Sequence, residues 1–142
     1  MANIVEIREM SDDKLTQKIE DAREELFNLR FQKAFAQLDN HARLKKVRRE
    51  IAQFESVLHM RKLAVDVAAN EPAIAAVLNG EEWQSVTHFD YEESAYQVVF
   101  RGKDGQDLAT AFVDLNKKRS KSREQREKKG QPQLVTSYDI VG

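Results

Sequence analysis

Leu15, Ile19, Ala22, Leu26 and Leu29 recur at alternating spacings of four and three. At about 100° per residue they share one narrow stripe, so a helix is predicted over residues 12–35. Ser11 is a good N-cap, and Asp12 and Asp13 suit the positive end of the helix dipole. The helix is expected to stop near Leu38-Asp39-Asn40, where turn-forming residues appear. A second stripe, Leu44, Val47, Ile51, Phe54 and Leu58, predicts a helix over residues 41–62. Two such stripes on a short connector make an antiparallel helical hairpin. The segment before Ser11 is expected to add a short helical turn that packs Ile4 or Ile7 across one end.

The pattern changes after about Leu63. Asn70-Glu71-Pro72 opens a short helix through Ile74 and Leu78, which stops at Asn79-Gly80. The period then becomes two. Strands are predicted at Ser85–Tyr91, Ala95–Arg101, Leu108–Leu115 and Leu134–Val141, with Lys103-Asp104-Gly105-Gln106 as a hairpin turn. The fold class is therefore an N-terminal all-α antiparallel helical hairpin, residues 1–63. A small α+β extension with an antiparallel β-meander follows, residues 64–142, interrupted by a basic loop at 117–129. Trp83 is expected to anchor the small core of the extension.

Composition adds exclusions. The chain of 142 residues has no cysteine, which removes disulfide frameworks, thiol nucleophiles and cysteine-ligated metal sites. No apolar run approaches the roughly 18 residues of a membrane span. The first residues resemble neither a signal peptide nor a transit segment, so a cytoplasmic protein is expected. The net charge of −1 conceals strong segregation. Residues 1–29 carry a net of −4, residues 30–62 +6, residues 66–116 −8 and residues 117–129 +6. Such blocks suggest polyanion-binding surfaces beside acidic ones.

On the second helix the apolar stripe spans about 60°. Lys45, Lys46 and Arg49 lie nearly opposite it, followed by Gln53 and Ser56, and Arg43 and Arg48 flank it. This cationic ridge reads either as a phosphate-binding surface or as a solvated helix face. Phe27, Phe31 and Phe35, four residues apart, form an aromatic stripe roughly opposite the Leu15–Leu29 stripe. A two-helix hairpin cannot bury both faces of one helix. The stripe is therefore expected to be covered by the extension, by a protein neighbour, or by RNA sugars and bases. Arg30 and Lys33 in the same segment favour a nucleic-acid or mixed interface. The run containing Lys117, Lys118, Arg119, Lys121, Arg123 and Arg126 is either an arm that orders on RNA or a solvated loop. The enzyme case is poor, and no cofactor, metal, membrane or small-molecule substrate is expected. His41, His59 and His88 are scattered, with no paired-ligand spacing and no phosphate-binding glycine loop. His59 is expected near a helix end, and His88 shares a strand face with Asp90.

Two separated segments, Phe27-Asn28-Leu29-Arg30-Phe31-Gln32 and Leu44-Lys45-Lys46-Val47-Arg48-Arg49-Glu50-Ile51-Ala52, occur with Gln37-Leu38 between them. With the opening Ile7-Arg8-Glu9-Met10-Ser11, they resemble the ribosomal protein L-twenty-nine family of the large ribosomal subunit. The resemblance covers about residues 3–63, and Phe54 departs from the smaller aliphatic residue usual there. It implies a structural constituent of the large ribosomal subunit with a helical-hairpin fold, bound to large-subunit ribosomal RNA near the polypeptide tunnel exit. It also implies ribosomal protein L-twenty-three as neighbour, in the region where trigger factor and signal recognition particle dock. Carried to matching positions, it makes Arg30, Lys45, Lys46, Arg48 and Arg49 the main RNA contacts, with Asn28 and Gln32 secondary.

The resemblance says nothing about residues 64–142. Their basic run is expected to thread onto phosphates, and the acidic stretch 66–116 to face solvent and meet factors or basic ribosomal proteins. The competing reading of the whole chain is a helical-hairpin adaptor off the ribosome. Such an adaptor needs no cationic ridge, and its association would be independent of salt.

Overall fold

The computed structural model describes residues 3–116, 122–129 and 133–141, with the side chains of Arg126, Lys128 and Lys129 outside the described set. Helix α1 (Ile4–Glu9) is followed by α2 (Asp12–Ala34) and α3 (Ala42–Ala69). Helix α4 (Pro72–Leu78) leads into strands β1 (Trp83–Asp90), β2 (Ala95–Gly102) and β3 (Asp107–Val113), then α5 (Arg123–Lys129) and β4 (Val135–Ile140). The chain forms two compact units, residues 1–59 and 60–142. The boundary expected after residue 63 lies inside α3.

In the first unit the two predicted stripes form the core. Leu15, Ile19, Ala22 and Leu26 of α2 are buried, as are Val47, Phe54 and Val57 of α3, with Leu29, Leu44, Ile51 and Leu58 half-buried. Ser11 caps α2 by accepting the Lys14 N–H at 3.3 Å. Of the two isoleucines offered for the end of the hairpin, Ile7 is fully buried against Leu15, Ile19, Phe54 and Val57, and Ile4 is exposed.

Helix α2 ends within one residue of the predicted end at 35, and what ends it is a backbone feature ahead of Leu38-Asp39-Asn40. The Gln37 N–H donates to the Gln32 carbonyl at 2.8 Å and the Ala36 N–H to that of Lys33 at 3.1 Å. This paired arrangement needs a left-handed residue after the cap, and Ala36 supplies it at φ +54°. A Cβ is unfavourable in that conformation. Ala36→Gly is therefore expected to raise stability by up to about 1 kcal/mol, read as a higher denaturant midpoint at unchanged slope. Asn40 then starts α3, its Oδ1 accepting the Ala42 N–H at 3.1 Å.

Helix α3 continues seven residues beyond the predicted end at residue 62. No glycine or proline intervenes before Pro72, and Glu71, held extended ahead of that proline, ends the run. His59, expected near a helix end, consequently sits well inside α3. The shift in sequence character near Leu63 marks a change of packing partner, not of element. From there α3 buries Ala64 and Ala68, whose small side chains admit the sheet closely.

The second unit is a four-stranded antiparallel sheet in the order β1-β2-β3-β4. Alternation puts Tyr96, Val98 and Phe100 of β2 and Ala109, Ala111 and Val113 of β3 on one buried face. That face packs with Ala64, Ala68, Ile74 and Leu78. The β2–β3 turn falls on the predicted residues, with Gly105 at φ +80°. Trp83 is not the anchor of this core. It opens β1 at 38% exposure and meets Phe100 edge-on at 5.2 Å, and Phe100 is the fully buried ring.

Candidate nucleic-acid interface

Four cations lie within five residues of α3. Lys45, Lys46, Arg48 and Arg49 are all exposed, and none makes an ion pair among the described residues. Their spacing makes them one patch. Lys45 lies three residues from Arg48 and four from Arg49, and Lys46 three from Arg49, the separations at which helix side chains are neighbours. The buried Val47 fixes the rotation of the helix, so the patch faces away from the hairpin core.

Intramolecular pairs use other charges instead. Arg43 is half-buried, and its Nε donates to Oε1 of Glu25 on α2 at 2.6 Å. That hydrogen bond, ahead of the coulombic effects of Glu25 and Glu50, raises the Arg43 pKa further above its ordinary value. Arg23 pairs with Glu55 across the same two helices. Arg43 is thus engaged by the hairpin, whereas its four neighbours on α3 are not. Gln53, placed with the ridge on the sequence wheel, is half-buried, and its Oε1 is buried and accepts no hydrogen bond among the described residues.

The aromatic stripe on α2 is open. Phe27, Phe31 and Phe35 are 66%, 57% and 60% exposed, with successive ring centroids 6.2 and 4.8 Å apart. Asn28, Arg30, Gln32 and Lys33 in the same two turns are exposed as well. Three exposed rings in a row, with cations between them, give a surface suited to sugar and base faces and to phosphates.

The basic run is only partly described. Residues 123–129, expected in a loop, form α5, where the Gln125 N–H donates to Ser122 Oγ at 3.2 Å. Good helix formers and alternating charge favour the helix, and Arg123 pairs with Glu127 at 3.4 Å. Lys117, Lys118, Arg119 and Lys121 lie outside the described residues, as does the Arg126 side chain. Among the described residues no three His, Cys, Asp or Glu side chains are grouped to hold a metal ion, and no helix is long and apolar enough to cross a membrane.

The first unit is thus a small helical hairpin with an exposed cationic face, unpaired among the described residues, and an open aromatic stripe. The family model described as Ribosomal L29 protein matches residues 5–61. A protein of Saccharopolyspora erythraea is 49% identical over 63 residues, covering 44% of this chain and 79% of its own length. One from Streptomyces griseus is 49% identical over 61 residues, 43% of this chain and 82% of its own. One from Mycolicibacterium gilvum is 55% identical over 60 residues, 42% of this chain and 78% of its own. Each is named large ribosomal subunit protein uL29. The chain belongs to the ribosomal L29 protein family, a family of structural proteins of the large ribosomal subunit. The family match ends within α3 and leaves α4, the sheet and α5 outside it.

Proposed function

We propose that this large-subunit ribosomal protein binds large-subunit ribosomal RNA through its hairpin, near the polypeptide tunnel exit of the cytoplasmic ribosome. The observation that carries the reading is the patch Lys45, Lys46, Arg48 and Arg49 on α3, unpaired among the described residues, beside a hairpin that pairs Arg23 and Arg43 internally. Each phosphate neutralised by the patch releases condensed counterions, which makes binding favourable and salt-dependent. Arg48 and Arg49 add two-pronged contacts to phosphate oxygens. Arg30 and Lys33 extend the positive surface toward Phe27, Phe31 and Phe35, which stack on unpaired bases or pack on sugars. Asn28 and Gln32 supply polar contacts between the rings. Recognition is of folded RNA shape. The family resemblance supports the tunnel-exit position, with ribosomal protein L-twenty-three as neighbour and trigger factor and signal recognition particle docking nearby. The basic residues at 117–129 reach neighbouring phosphates in the same reading.

A hairpin of about 60 residues buries only about 60% of its unfolded surface, so assembly with RNA completes its stability by mass action. Salt titration of the full chain on large-subunit RNA tests the reading. With four to six phosphates contacted, affinity is expected to fall by roughly two to three decades between about 50 and 200 mM salt. Salt-independent association would instead favour the protein-adaptor reading. The Arg43–Glu25 pair makes a sharper prediction. Glu25→Gln releases the guanidinium and is expected to steepen the salt dependence by up to about one phosphate equivalent.

A further inference from the structure

Among the described residues β1 is hydrogen-bonded on one side only, to β2, and is an edge of the sheet. Open edges invite pairing with another chain, and proteins guard them with lysine, proline, bulges or short length. β1 carries none of these guards. Its eight residues, Trp-Gln-Ser-Val-Thr-His-Phe-Asp, include no lysine, proline or glycine. Its register with β2 is unbroken from Trp83 to Asp90. The opposite edge differs, because β4 has six residues and a register shift at Phe112/Val113 in its ladder.

Charge selects what can pair with β1. Residues 81–95 contain five carboxylates and no lysine or arginine. Glu81 and Glu82 sit before the strand and Glu92 and Glu93 after it, all exposed and without an ion pair among the described residues. Neither cation of residues 66–116 makes an ion pair with them among the described residues. Arg101 pairs with Asp107 at 3.1 Å. Lys103, next to Gly102, the register partner of Trp83, shares a surface hollow with Glu82 but forms no ion pair there, so the end at Glu92 and Glu93 is the more strongly acidic. A second copy aligned antiparallel on β1 would set Glu81 and Glu82 against Glu92 and Glu93 of its mate, four like charges at each end. RNA is repelled by the same carboxylates.

We propose that the β1 edge is a docking site for an extended, lysine- or arginine-rich segment of another protein, which adds to the sheet as a fifth strand. Main-chain hydrogen bonds supply the pairing and the carboxylates at both ends of β1 supply the selection. Eight residues at about 3.3 Å each place the two acidic ends roughly 25 Å apart. The matching segment therefore carries basic residues at both ends of a β-prone stretch of about eight residues. The site lies in the unit outside the family match and is independent of the RNA reading.

Trp83, the single tryptophan of the chain, opens β1 and reports on it directly. The test uses the full chain and a synthetic peptide of alternating threonine and valine with a lysine pair at each end. Saturable change in tryptophan emission, with slowed amide exchange along β1, is the expected result. A peptide N-methylated at alternate residues is expected to bind roughly tenfold or more weakly, and a glutamate-flanked peptide not at all. The variant carrying Glu81→Lys, Glu82→Lys, Glu92→Lys and Glu93→Lys is expected to reverse the preference between lysine- and glutamate-flanked peptides. Equal binding of the N-methylated and unmodified peptides would overturn strand addition. So would concentration-dependent dimerisation that protects β1, or displacement of the peptide by an RNA oligonucleotide competing for the same amides.

Discussion

Replacing Lys45, Lys46, Arg48 and Arg49 together by alanine is expected to lower affinity for large-subunit ribosomal RNA by about a hundredfold or more near 0.1 M salt. Each phosphate contact removed takes with it its share of counterion release, and the salt slope should fall by roughly one for every cation lost. The fold is not at stake in this variant. All four side chains are exposed and unpaired among the described residues, and alanine is the better helix former. Circular dichroism should therefore match the parent, and a binding loss at unchanged helicity isolates the interface. Alanine at Arg23, which is exposed on the hairpin but paired with Glu55, is the contrasting control and should leave the slope nearly unchanged.

The second large effect concerns the other unit. Phe100→Ala should cost about 3–5 kcal/mol, a large part of the stability of a small domain. Phe100 is fully buried between the sheet and the helices that cover it, and it is the ring on which Trp83 rests. Segment-resolved hydrogen exchange checks the result. Amides of β2 and β3 should lose protection and tryptophan emission should move toward that of the free side chain. Amides beneath the separate cores around Leu15 and Val47 should keep theirs. Loss of protection throughout the chain would mean that the two units fold as one.

Much of this was legible because helix and strand periods are local. The 15-19-22-26 and 47-54 positions of the stripes are the buried ones, and the alternation of β2 and β3 marks the inner face of the sheet. The misses arise where long-range contacts decide. The length of α3 was obscured because its partner changes from α2 to the sheet, and small Ala64 and Ala68 do not read as a core stripe. Trp83 looks like a core residue by size, yet its place at the start of an edge strand leaves it partly open.

The candidate interface was legible to a similar degree. Exposed cations at helical spacing can be found on a wheel, and so can three phenylalanines four residues apart. The engagement of Arg43 by Glu25 cannot, because the two are brought together only when α2 and α3 pair. The open β1 edge also needed the sheet order, since nothing in the residues 83–90 alone says which strand has one neighbour.

Photo-crosslinking of intact large subunits containing this chain, followed by mass spectrometry of the peptide–nucleotide adducts, reads directly whether the hairpin touches ribosomal RNA. Ribosomal RNA adducts are expected on the α3 segment carrying Lys45, Lys46, Arg48 and Arg49, and on the α2 segment carrying Phe27, Phe31 and Phe35. Subunits that contain the protein but yield RNA adducts only outside residues 27–49 would contradict it.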